Sequence, residues 1–149
     1  MPSYKGPQAS RARHASSEAG NAWVDDNKVA VTAALTTADE VVLLDVPAGT
    51  RLHGLKLRAG DLDTGTALVA SLGYRSKHAE PQLAPSANYF LSGSTSFQAA
   101  QAGWVDLAFE PIVFNEPVQI VLSVGTGAAG QSGTQSIWAI GEGQVVGAR

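Results

Sequence analysis

Two carboxylates one residue apart, Asp61 and Asp63, stand directly before Thr64 and Gly65. Alternating acids of this kind open calcium-binding loops, where acidic oxygens converge on a hard cation. Here the glycine arrives one position early for an EF-hand, the closing glutamate is missing, and no helical pattern flanks the segment. Aspartate ahead of Thr-Gly also starts a turn by accepting backbone N–H bonds. The turn is the expected role, with a cation at Asp61 and Asp63 as its alternative. The pairs Asp25/Asp26 and Asp39/Glu40 read as solvated strand ends. Carboxylate pairs of the glycosidase kind are defined by their separation in space, which spacing along a chain does not supply.

The other chemical groups are sparse. There is no cysteine, so disulfides and thiolate-held zinc are excluded. The chain has no G-x-S-x-G nucleophile elbow, and Gly130-Gln131-Ser132-Gly133 has the wrong spacing for one. Neither a phosphate-binding G-x-x-x-x-G-K-[ST] loop nor an H-E-x-x-H helix occurs. The three histidines, His14, His53 and His78, are far apart in sequence. His53 shares parity with Leu55 and Leu57 and is read as lying at a strand end near the rim, not as a ligand. No catalysis, cofactor or metal is expected. The aromatics Trp23, Trp104, Trp138, Tyr4, Tyr74 and Tyr89 offer a different chemistry, since a flat exposed ring can stack on a sugar. Trp104 falls on the polar side of its segment beside Asp106, yet tryptophan in a small sandwich more often serves core or subunit interface. A carbohydrate-binding sandwich is therefore kept as an alternative function.

These groups sit on a frame with period-two patterning. In residues 66–74, Leu68, Ala70, Leu72 and Tyr74 share a face; in 118–124, Val118, Ile120, Leu122 and Val124 do so. Val105, Leu107 and Phe109 alternate with Trp104, Asp106 and Ala108, and Leu55 and Leu57 with Lys56 and Arg58. Alternation of this kind marks half-buried antiparallel strands. Residues 29–35, 40–46, 87–91, 95–98, 112–115 and 135–145 are further strands, bounded by turn residues such as Pro47-Ala48-Gly49 and Ser92-Gly93-Ser94. About eight to ten short strands with no competing helical period predict an all-β fold, an antiparallel β-sandwich or jelly roll. Residues 75–86, with two prolines, read as a surface excursion, and the uncharged glycine-rich stretch 125–133 as a loop tip.

The chain has 149 residues and a mass of 15.4 kDa, the size of one domain. Its formal charge of −3 excludes a strongly basic surface for gripping nucleic acid. No apolar run is long enough to span a membrane, and the first residues lack the apolar core of a secretory signal. Residues 1–22 hold Lys5, Arg11 and Arg13 against Glu18, a net +2, while the remaining residues sum to −5. With one aromatic and no Val, Ile, Leu or Phe, that segment buries too little apolar area to order itself, and it is read as an extended N-terminal arm. The sandwich domain then spans 23–149.

Several segments together resemble a group of small virion proteins of tailed bacteriophages. They are Val41–Val46 followed by Pro47-Ala48-Gly49-Thr50-Arg51, the Asp61-Leu62-Asp63-Thr64-Gly65-Thr66 turn leading to Leu72-Gly73-Tyr74, and Phe114-Asn115-Glu116-Pro117 running into residues 118–124. The resemblance covers about residues 40–146 and rests on strand ends and turns; the arm is not matched. It implies a capsid decoration (cementing) protein, a jelly roll or related sandwich bound to the outer head surface as a dimer or trimer. The partners so implied are the major capsid protein and further copies of the chain, with a tail or baseplate component as the nearer alternative. On that reading the arm residues Tyr4, Lys5, Arg11 and Arg13 contact the shell. Val42, Leu44, Trp104 and Val121 are expected at a subunit interface, because 40–46 is apolar on both faces.

Overall fold

The computed structural model describes residues 3–5 and 21–147. Its ten strands are β1 (Ser3–Lys5), β2 (Ala22–Val31), β3 (Glu40–Val46), β4 (Thr50–Ala59), β5 (Val69–Ser76), β6 (Ser86–Ser94), β7 (Val105–Asp106), β8 (Ile112–Phe114), β9 (Val118–Thr126) and β10 (Gln135–Val145). They form two five-stranded sheets, and the fold is an all-β, jelly-roll-like sandwich. Sheet I runs β1-β3-β9-β5-β6. Sheet II runs β2-β10-β4-β7, with β8 pairing the other end of the β4 edge. Every pairing is antiparallel except β1 with β3. No helix among the described residues is long and apolar enough to cross a membrane.

Alternation decides what each strand buries. Along β2, Trp23, Asp25, Asn27, Val29 and Val31 point inward while Ala22, Val24, Asp26, Lys28 and Ala30 face out. The core between the sheets is built from Leu52, Leu55, Leu57, Leu72, Ile120 and Leu122, with Trp23 and Phe114 as its large rings. Fully burying each such leucine stabilises the fold by about 1.5–3 kcal/mol. An edge-to-face cluster closes one end, with ring centroids 5.1 Å apart for Tyr74–Phe114 and 4.8 Å for Phe90–Phe109. Burial, and then the neighbouring Tyr89, push the Tyr74 hydroxyl above its ordinary pKa.

Several sequence expectations are redrawn. β2 begins at Ala22, well before residue 29, so Asp25 and Asp26 lie within a strand and Asp25 faces inward. Its neighbour Asn27 is accommodated by donating from Nδ2 to the Leu43 carbonyl at 2.6 Å, a bond between the sheets. Residues 95–98 form a loop: Phe97 enters the core and the Gln98 amide caps the carbonyls of Thr66 and Leu68 at 3.0 and 2.9 Å. The 104–109 strand shrinks to Val105–Asp106.

Two β-bulges overturn parity. The register of β10 on β4 shifts between Glu142 and Gly143, and two residues instead of one stand between inward Leu52 and inward Leu55. His53 is thereby turned to solvent, and the parity it shares with Leu55 and Leu57 does not carry it inward. The register of β3 on β9 shifts between Val42 and Leu44, so both Leu43 and Leu44 join the main core.

Candidate functional site

Asp63 sits in the connection that carries the chain from β4 to β5. Its Oδ1 accepts the N–H groups of Gly65 and Ala129, both at 2.9 Å, and its Oδ2 those of Ala67 and Leu68, both at 2.7 Å. Burial on its own raises a carboxyl pKa; the four N–H donors outweigh it and hold Asp63 at about 2. Donors on every side repel a cation, and among the described residues no three acidic, histidine or cysteine side chains come together around a metal. The Asp61–Gly65 segment is a turn. It also pins the glycine-rich stretch, since Thr64 donates to the Gly130 carbonyl at 2.9 Å. That stretch packs on its own chain instead of standing free as a tip.

The outer face of sheet I is largely covered by the chain's own excursion. Register places Val42, Val121 and Gly73 in one row across β3, β9 and β5. An ideal Cβ on Gly73 would lie 1.8 Å from the Ser86 carbonyl oxygen, so only glycine lets the start of β6 cross there. Glu116 anchors the excursion. It accepts from the Ser76 hydroxyl at 2.7 Å and from the Leu83 N–H, and pairs with His78 Nδ1 at 3.2 Å. The Ser76 bond foremost, against the opposing effect of burial, then the Leu83 N–H and His78, lower the Glu116 pKa. Lys77 reaches Asp45 at 2.9 Å, and Arg75 joins Glu40 to Gln119. A cavity of about 290 Å³ remains beside Val121 under Pro85 and Ala87.

Sheet II has an open outer face. Across its strands, Lys28, Trp138 and Arg58 form one row and Asp26, Ile140, Lys56 and Asp106 the next; Val24 and Glu142 lie in a third. The Lys28 ammonium lies 5.3 Å and the Arg58 guanidinium 5.8 Å from the Trp138 ring centre, each within cation–π range. Lys56 pairs with Glu142 at 3.4 Å. Trp104 immediately precedes β7; continuing the Val105–Leu57 register by one residue sets it across from Arg58. Trp104 is 45% and Val24 67% exposed, high for large apolar side chains.

The expected interface residues thus separate. Leu44 is core. Val42 and Val121 form a small cluster of their own, 0% and 5% exposed within a single chain, and have almost no area left for a partner. Around Val121 the end of the excursion, Pro85 to Ala87, supplies cover that its polar sequence conceals. Trp104 alone of the four offers surface. In the arm, residues 3–5 add a parallel strand to the β3 edge, and half-buried Tyr4 packs against the core instead of facing outward. Arg11 and Arg13 lie outside the described residues, as does the side chain of Lys5. Sequence reading missed the Lys28–Trp138–Arg58 row because its members are 30 to 110 positions apart and only strand register joins them. The sugar-platform idea fits Trp138 poorly, since two cations already crowd its ring.

No protein-family model matches the chain, and no curated protein matches it. Solved structures do resemble it. A chain in the capsid asymmetric unit of cyanophage Pam1 superposes with a TM-score of 0.62 at 24% identity, covering 83% of this chain and 85% of that one. A chain in the capsid of Ralstonia phage GP4 gives 0.64 at 17% identity, over 96% and 98%. A chain in an acid-stable capsid structure of the Helicobacter pylori bacteriophage KHP30 gives 0.52 at 12%, over 82% and 86%. In each case the match runs through most of both chains.

Proposed function

We propose that the protein is a non-enzymatic structural component of a tailed-phage virion, made in the host cytoplasm, which binds the outer capsid surface and cements the shell as a symmetric dimer or trimer. The observation that carries this reading is the near end-to-end likeness to chains within three phage capsid structures. The geometry is consistent with it: of the acids weighed in the sequence, Asp63 and Asp39 accept turn N–H groups and Glu40 pairs with Arg75, instead of converging in a cleft. A clamp that binds only the assembled shell stabilises it by linkage, as any ligand stabilises the state it binds. Within this reading, residues 1–22 are an arm whose Arg11 and Arg13 pair with acidic groups of the major capsid protein, and 23–149 form the body.

The test is the ratio of this chain to the major head protein in purified particles, by quantitative mass spectrometry. Hundreds of copies in a fixed ratio are expected. A handful per particle would move the protein to the tail or baseplate, and absence from particles would overturn the virion reading. The arm is tested by Arg11→Ala/Arg13→Ala, which spares β1; unchanged occupancy on particles would refute its role.

A further inference from the structure

We propose that the outer face of sheet II is the surface that docks, and that it takes an acidic segment of a protein in the particle. The inference deepens the capsid-binding reading and rests on it. Of the two broad faces, that of sheet I is the poorer candidate. Its apolar row is covered by the chain's own excursion, and Arg75 and Lys77 are spent on Glu40 and Asp45.

Sheet II is open and its chemistry is specific. Its apolar side chains are Trp138 and Ile140 on β10, Val24 on β2 and Trp104 just before β7, with Arg58 of β4 between the two tryptophans. Lys28 and Arg58 flank Trp138, and among the described residues no carboxylate lies within ion-pair distance of either. The acids of the face are Asp26, Asp106 and Glu142. The acids stand in the second and third rows, where Glu142 pairs with Lys56 and Asp106 lies opposite it. The first row holds two cations and no acid, on a chain of net charge −3.

Cation–π contact holds both heads against the ring, which lowers the entropy lost when they meet an anion. Exposed tryptophan and arginine side by side are the residues most often found to dominate interface energetics. The complementary partner carries carboxylates for Lys28 and Arg58 and an apolar side chain between them, to lie on Trp138 and Ile140. A stacked sugar would have to displace these cations from the ring.

The experiment uses the full-length chain added back to phage heads stripped of it. Lys28→Glu/Arg58→Glu should reduce occupancy at subsaturating concentration by at least about tenfold, since like charges across an interface are strongly unfavourable. Wild-type binding should weaken with added salt. Hydroxyl-radical oxidation of Trp104 should fall when the wild-type chain is bound. Both substituted positions are exposed, and an unchanged melting temperature certifies the fold; Trp104→Ala supplies a second, charge-neutral variant. Wild-type binding with undiminished occupancy of the double variant and undiminished Trp104 oxidation would overturn this inference and leave the capsid reading standing. A wild-type chain that fails to rebind would overturn the capsid reading and this inference together.

Discussion

Gly141 lies where β10 packs tightly on Trp23 of its own sheet and Leu44 of the other, and it makes that packing measurable. It lies on β10 facing inward, and an ideal Cβ there would stand 3.0 and 3.1 Å from two Trp23 ring carbons and 3.1 Å from a Leu44 methyl. Carbon atoms settle at about 3.5–4.0 Å, so Gly141→Ala forces several contacts to open by about half an ångström or more. Trp23 and Leu44 are both buried, and overpacking such a site costs about 1–3 kcal/mol. The reduced freedom of the unfolded chain returns about 0.4–1 kcal/mol. The net is a destabilisation of about 0.5–2 kcal/mol, or a melting temperature lower by about 1–8 °C at this chain length. Leu44→Ala alone should cost about 2–5 kcal/mol. In the double variant the new methyl enters the space Leu44 leaves, giving a favourable coupling of about 0.5–3 kcal/mol. The assay is denaturant unfolding of wild type, both single variants and the double, at two protein concentrations. Additive effects, or a Gly141→Ala protein more stable than wild type, would refute the packing argument. An effect of Leu44→Ala that grows on dilution would return Leu44 to a subunit interface.

Three further outcomes follow from the turns and the excursion. Asp63 is held at about 2, below the ordinary carboxyl value of about 3.9, so its stabilising contribution is present above that value and is lost as pH falls through about 2. The gap in melting temperature between wild type and Asp63→Asn should therefore be widest near neutrality and close toward pH 2; a gap constant across that range would refute the assignment. Glu116→Gln should loosen residues 77–85, speeding proteolytic nicking there several-fold while β9 and β10 keep their hydrogen-exchange protection. Ala38 holds a φ of 71°, in a region that disfavours side chains by about 1–2 kcal/mol. Ala38→Gly should raise the melting temperature by a few degrees despite its freer unfolded chain, and calorimetry showing a decrease would contradict this.

A continuous apolar run bounded by turn residues located β3 to the residue, and alternation located β10, because half-burial writes itself directly into period two. It failed where a bulge intervened: Leu44 and Val42 share parity on paper, and one extra residue in the ladder sends Leu44 to the core. The same slip turned His53 outward. Asp63 was legible as a turn because its bonds to Gly65, Ala67 and Leu68 are local; the bond to Ala129 was not. The cover that a polar excursion gives Val121 depends on Gly73 and Glu116 acting at a distance. The Lys28–Trp138–Arg58 row was out of reach for the same reason, since it exists only through register.

The two ends of the sandwich meet at one corner. The Val145 N–H donates to the Asn21 carbonyl at 2.7 Å, and the end of β10 pairs with the start of β2. Tension applied between the two ends would first strip the three-residue β1 and then open β2 from β10 like a zipper, loading hydrogen bonds one after another. A strand sheared along its length shares the load among all its bonds at once. The chain ends are thus a mechanically weak handle, whereas the sheet faces present the whole sandwich in parallel to a load. A protein that reinforces a pressurised container would carry stress through a face, and would fail early if it were tethered by its tails.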